Sequence, residues 1–76
     1  MTTATITKTI EKVKNQDAKF SLGFKRLVSL PARVRKSFAL ASNIETNWDG
    51  RKAHDNQVSF LESLNDSEFI NWLKTA

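Results

Sequence analysis

The sequence predicts an all-α protein, a small compact bundle of four to five short helices in one domain spanning residues 1–76. Three observations predict it. Apolar residues recur at helical spacing along most of the chain, beginning with Ile6, Ile10 and Val13 at i, i+4 and i+7. Helix-opening residues stand ahead of the later apolar runs: Pro31 before Val34, Asp55 before Val58, and Asn65 three residues ahead of Glu68. The one stretch with strand-like alternation, residues 20–24, has no second strand to pair with, and a lone strand would leave its hydrogen-bonding edges open.

The first helix carries a narrow apolar stripe, which predicts a peripheral position, with the Thr-rich residues 1–5 frayed. Asn15-Gln16-Asp17 marks a break, and Asp17 is placed to cap a second helix over about residues 17–28. That helix presents Phe20, Phe24, Leu27 and Val28 on one face. Gly23 opposes it by about 1 kcal/mol relative to Ala. Pro31 opens a third helix, about residues 30–42, because a first-turn residue needs no N–H donor; Ser29 is its expected N-cap. Val34, Phe38 and Ala41 line its inner face, and Ser42-Asn43 is its expected end.

The stretch ETNWDGRKAHD, residues 45–55, reads as the main loop, with Asp49-Gly50 as a turn. Asp55 then caps a helix holding Val58, Leu61 and Leu64. Asn65 and Glu68 form a capping box for a last helix with Phe69, Ile70, Trp72 and Leu73 on a wide apolar face. The expected core is Ile10, Val13, Phe20, Phe24, Leu27, Val28, Val34, Phe38, Ala41, Val58, Leu61, Leu64, Phe69, Ile70 and Leu73.

A chain of 76 residues buries only roughly 60% of the surface its unfolded form exposes, so its stability is modest. It has no cysteine to staple it, which fits a reducing compartment. With 39% hydrophobic and 26% charged residues, it has the composition of a folded domain. No apolar run approaches the ~18–20 residues of a membrane span, and the start lacks the apolar core of a secretory signal. The expectation is a complete cytoplasmic protein without membrane attachment.

Catalytic chemistry is sparse. There is one histidine, His54, and neither Cys nor Tyr. No His or carboxylate set has metal-ligand spacing, and two glycines cannot build a phosphate-binding loop. The reading is non-enzymatic, with no catalytic residue, metal, cofactor or small-molecule substrate.

Charge is uneven. Residues 1–36 hold nine Lys/Arg against Glu11 and Asp17, a balance of +7, whereas residues 37–76 hold three against six acids, a balance of −3. Such a basic half suits an anionic partner, either nucleic acid or an acidic protein surface. The segment LVSLPARVRKSF, residues 27–38, resembles the turn and second helix of repressor-type helix-turn-helix domains in Val28, Ser29, Val34 and the basic residues that follow, with Gly23 where that motif packs a small residue. The resemblance covers about 20 residues and departs at Leu27, where the motif commonly has Gly. It implies that Arg33, Arg35 and Lys36 would face DNA bases while Lys25 and Arg26 hold phosphates.

Protein binding is the favoured alternative. Trp48 falls in the loop, Trp72 at the edge of its apolar face, and Leu22 and Leu40 off their helices' inner faces; together they would form an apolar patch. The sequence therefore predicts a small regulator, an inhibitor or adaptor, that occludes a protein partner or pairs with a second copy of itself.

Overall fold

Four of the five helices begin where a short polar side chain accepts a hydrogen bond from an amide that the first turn leaves free. The computed structural model describes residues 1–76 and is all-helical, without strands. Its helices are α1 (Thr3–Lys14), α2 (Leu22–Ser29), α3 (Ala32–Glu45), α4 (Gly50–Ser63) and α5 (Asp66–Thr75). Thr2 Oγ1 accepts from the Thr5 N–H at 3.2 Å, Ser21 Oγ from Phe24 at 3.2 Å, and Asp49 Oδ1 from Lys52 at 3.1 Å. At α5 the capping box is complete: Asn65 Oδ1 accepts from the Glu68 N–H at 2.8 Å, and Glu68 Oε1 accepts from the Asn65 N–H at 3.0 Å. Each such cap stabilises its helix by about 1 kcal/mol. Only α3 opens without one, directly after Pro31.

Several boundaries differ from the sequence reading, each for a local reason. The N-terminus is not frayed: Thr2 caps α1 from its first turn, and Met1 packs against the core. Asp17 does not cap α2. Its carboxylate accepts from the Lys19 N–H, forming a turn, and α2 starts five residues later behind Ser21. Residues 22–24 are helical, so their alternation was not strand period. Ser29 ends α2 rather than capping α3, and the extended pair Leu30-Pro31 joins the two helices. Helix α3 runs past Ser42-Asn43 to Glu45, and α4 begins at Gly50, because Asp49 takes the capping role assigned to Asp55. The long loop shrinks to residues 46–49.

One core joins all five helices. It consists of Ile6 from α1, Leu27 from α2, Leu30 from the joint, Val34 from α3, Leu61 from α4, and Phe69 and Leu73 from α5. Ile10, Val13, Val58, Leu64 and Ile70 pack around it half-buried. Beside this core, Phe38 meets Trp72 edge-on at 5.1 Å and Phe60 at 5.8 Å, which ties α3, α4 and α5 through aromatic edges. Four expected core residues lie outside, Phe24 and Val28 among them as half-buried side chains of α2. Phe20 precedes α2 in the turn and rests its ring on Phe24 at 4.8 Å. Ala41 sits at the flank of α3, exposed. Ile6, Leu30 and Ala53 are buried instead.

The largest fully buried side chain is a cation. Arg26 is 1% exposed. Its Nη1 donates to the Leu61 carbonyl at 2.7 Å and to the Leu64 carbonyl at 2.6 Å, both at the C-terminal end of α4. Its Nη2 donates to Asp66 Oδ1 at 3.0 Å, at the start of α5, and its guanidinium carbon lies 4.6 Å from the centre of the Phe69 ring. The carbonyls of a last helical turn have no partner within the helix, and a cation complements the negative end of the helix dipole. In return, Glu62 of α4 accepts the Gly23 N–H in the first turn of α2, where negative charge is favoured. Helices α2 and α4 thus cap one another. The contact is close enough that a Cβ on Gly23 would overlap the Val58 carbonyl.

Two outcomes follow for stability, both read by urea and thermal unfolding. Gly23→Ala destabilises the protein, although helix propensity alone favours Ala by about 1 kcal/mol; a stabilised variant would refute the close approach. Arg26→Ala leaves two buried carbonyls unpaired and costs about 3 kcal/mol, a large share of the ~4–11 kcal/mol expected at this length. Asp66→Asn, at the exposed end of the same ion pair, costs less than about 1 kcal/mol. Equal losses in the two variants would place the stabilisation in the ion pair rather than in the helix end.

Candidate functional site

Helix α3 is apolar on two faces. Each residue turns the helix by about 100°. Val34, Phe38 and Ser42 therefore share one face, and it is the face turned to the core. Arg33, Lys36, Leu40 and Ile44 share the opposite face, and all four are exposed. Leu40 is 53% exposed and Ile44 61%. Nothing in the chain packs over them, because α3 rests mainly on α4 and that contact uses the inner face.

The turn after α3 exposes a further apolar residue. The Trp48 N–H donates to the Asn43 carbonyl at 2.6 Å and the Asn47 N–H to the Ile44 carbonyl at 3.2 Å. This pair of bonds is the Schellman arrangement that closes a helix when the residue after the cap turns left-handed. Asn47 supplies that residue, at φ 53°, which its short polar side chain tolerates. Trp48 then takes a second left-handed position, at φ 64°. A bulky residue there is uncommon and costs about 1–2 kcal/mol. Its side chain recovers little of that by burial, being 66% exposed. The strained conformation holds a tryptophan out in solvent, in the turn just after α3. Asp49 follows and caps α4, so the tryptophan is gripped between two helix ends.

Cations stand at both neighbouring helix starts. Arg33, Arg35 and Lys36 stand in the first turns of α3, and Arg51 and Lys52 in the first turn of α4; all are exposed. None is in an ion pair, since the molecule's single salt bridge is Arg26–Asp66.

The other residues singled out from the sequence scatter. Leu22 lines an open cavity of about 390 Å³ together with Ile10, Val13, Lys25 and Ile70. Trp72 lines a different one of about 520 Å³ beside Arg33, Phe38 and Ala41. Trp72 is half-buried, edge-on to Phe38 and Phe60, so it belongs to the aromatic cluster and not to a patch with Trp48. Of the four apolar residues, Leu40 alone falls on the α3 row, and Trp48 follows in the turn after the helix. Ile44 was overlooked, although its i+4 spacing from Leu40 was visible.

The helix-turn-helix geometry is not reproduced at the joint. Leu30 and Pro31 are both extended, and no residue between α2 and α3 is left-handed. The two helices share little direct contact, each leaning on α4. Arg26, expected on a phosphate, is buried and bonded to the ends of α4 and α5. Lys25 is half-buried. Arg33, Arg35 and Lys36 remain free in solvent.

His54 is exposed, with its ring 6.1 Å from that of Phe24. No three His, Asp or Glu side chains come together, and no helix is long and apolar enough to cross a membrane. The chain matches no protein-family model, no curated protein and no solved structure.

Strain and exposure at Trp48 make a prediction of unusual sign. Trp48→Gly removes a large aromatic side chain yet leaves the fold intact and raises its stability by about 1 kcal/mol, because glycine takes φ near 60° freely. For a chain of this length that shifts the melting temperature upward by about 4–8 °C. A lower melting temperature would make Trp48 a packing residue.

Proposed function

We propose that this protein is a non-enzymatic regulator, acting in the cytoplasm as an inhibitor or adaptor, that binds a protein partner through the outer face of α3. The observation that carries the reading is Trp48, an exposed tryptophan on strained left-handed backbone, in the turn that follows the helix bearing exposed Leu40 and Ile44. Backbone strain persists only where surrounding structure enforces it, and it concentrates at functional sites. Tryptophan and arginine are also the residues most enriched among the few that dominate binding energy. Leu40 and Ile44 add apolar area that the chain itself leaves open. The rigid helix beneath them keeps the cost of ordering the surface low on binding.

A second reading, DNA binding by the N-terminal part of α3, is favoured by one observation. Arg33, Arg35 and Lys36 are exposed and unpaired at a helix start with no side-chain cap. The buried Arg26 and the absence of a left-handed turn weigh against it.

Affinity capture and anisotropy separate the two. Leu40→Glu and Trp48→Gly, both with native circular dichroism, are expected to lose the proteins retained by the wild-type chain. Labelled duplex DNA at low salt is expected to show no micromolar binding. Capture unchanged by both variants overturns the protein reading. Salt-sensitive DNA binding that Arg33→Glu/Lys36→Glu abolishes would put the DNA reading in its place.

A further inference from the structure

From the α3 face proposed above, on which this inference rests, we infer the chemistry of the partner: an acidic amphipathic α-helix that lies lengthwise along α3. The row has the form of a helix-pairing seam. Arg33, Lys36, Leu40 and Ile44 follow a 3-4-4 spacing, and Trp48 follows in the turn after the helix. From Arg33 to Ile44 the seam runs about 16 Å at 1.5 Å per residue. It is a straight ridge on a convex helix, so a second helix complements it along its whole length, with anchors at i, i+4 and i+7.

Charge selects the kind of helix. The seam begins with two cations, Arg33 and Lys36, which are exposed and without an ionic partner in the chain. Arg35 lies about 100° round the helix from Lys36, and Glu45 about 100° from Ile44, so neither stands on the seam. Past Ile44 the charges are mixed, with Asp49 close in sequence to Arg51 and Lys52. The partner helix therefore carries Asp or Glu at the end of a short apolar stripe that meets Arg33 and Lys36. Opposed potentials of this kind speed encounter and set the register.

Two competing occupants fit less well. A nucleic acid would satisfy the cations but would leave Leu40 and Ile44, each more than half exposed, without an apolar surface to cover them. A second copy of this chain would cover the apolar residues but bring two more unpaired cations and a further net charge of +4 to the contact. A stable interface covers about 800 Å² on each side. Three apolar side chains do not supply that area, so the contact must run onto the cationic start of α3, where an acidic surface is favourable.

The test is selection of helix-scaffolded random peptides on the immobilised full chain, with the Leu40→Glu and Trp48→Gly variants as counter-selection. The expected winners carry a Leu/Ile/Phe stripe with Asp and Glu at one end. Arg33→Glu/Lys36→Glu should weaken their binding at least tenfold. Replacing the matching acids of the peptide by Lys should restore at least a third of the original affinity to that variant. Winners that depend on Leu40 and Trp48 but are neutral or basic would overturn the acidic partner while leaving the α3 surface standing. An absence of winners that distinguish the wild-type chain from the two variants would overturn both. Sedimentation showing a dimer that Leu40→Glu dissolves would assign the face to a second copy and overturn the acidic helix. A 20-base-pair duplex that binds irrespective of Leu40 and Trp48 but not after charge reversal at 33 and 36 would assign the face to phosphate, with the same effect.

Discussion

The Arg26 guanidinium at the junction of α2, α4 and α5 is the contact on which the arrangement of the helices depends. It fills two carbonyls at the end of α4, one carboxylate at the start of α5, and the face of Phe69. The chain turns from α4 into α5 within two residues, Leu64 and Asn65, and so tight a turn exposes helix-end carbonyls inside the fold. Water could fill them only by entering the core. A buried cation from α2 fills them instead and, in doing so, fixes where α2 crosses α4. The closeness of that crossing explains why Gly23 stands in a helix that would otherwise prefer Ala. The Glu62 contact at the opposite helix start repeats the same logic with the sign reversed.

With α2 and α4 locked together, α3 rests mainly on α4. Its inner face carries Val34, Phe38 and Ser42, with Phe38 meeting Phe60 of α4 and Trp72 of α5, and its other side turns to solvent. In a larger domain a second layer would cover Leu40 and Ile44; a chain of 76 residues has no such layer to spare. The exposed row is therefore a product of size as well as of sequence. What size does not explain is Trp48. An exposed apolar residue on relaxed backbone is ordinary, but an exposed tryptophan on strained backbone is held there by the two helix ends that flank it. That distinction is the ground for proposing a binding surface rather than incomplete burial.

The two halves of the charge pattern acquire different meanings in the fold. Part of the N-terminal excess is consumed internally, since Arg26 is spent on α4 and α5. Of the remainder, Arg33 and Lys36 stay unpaired beside the apolar row, and Lys8, Lys12, Lys14 and Lys19 lie exposed elsewhere. The acidic half contributes Glu62 and Asp66 to the α2 junction and Glu68 to the capping box. Attraction between the halves is thus real at one junction, and the surplus is spread over the surface.

The sequence by itself determined the helical class, the position of α5 and its capping box, and the inner faces of α3 and α4. These follow from 3.6-residue periodicity and from side chains that reach backbone amides within one turn, interactions that need no distant partner. Half of the candidate surface was legible in the same way, as Leu40 and Trp48 lying off the inner faces. What only the tertiary structure decided was every feature set by residues far apart. Arg26 read as a surface cation because nothing local reveals carbonyls 35 and 38 residues away. Asp17, Ser29 and Asp55 read as caps because any short polar side chain can serve, and the choice among neighbours belongs to packing. Trp72 read as surface because its partners, Phe38 and Phe60, arrive from other helices. Local periodicity decides which residues share a face; only the assembled helices decide which faces are covered, and here they left one open.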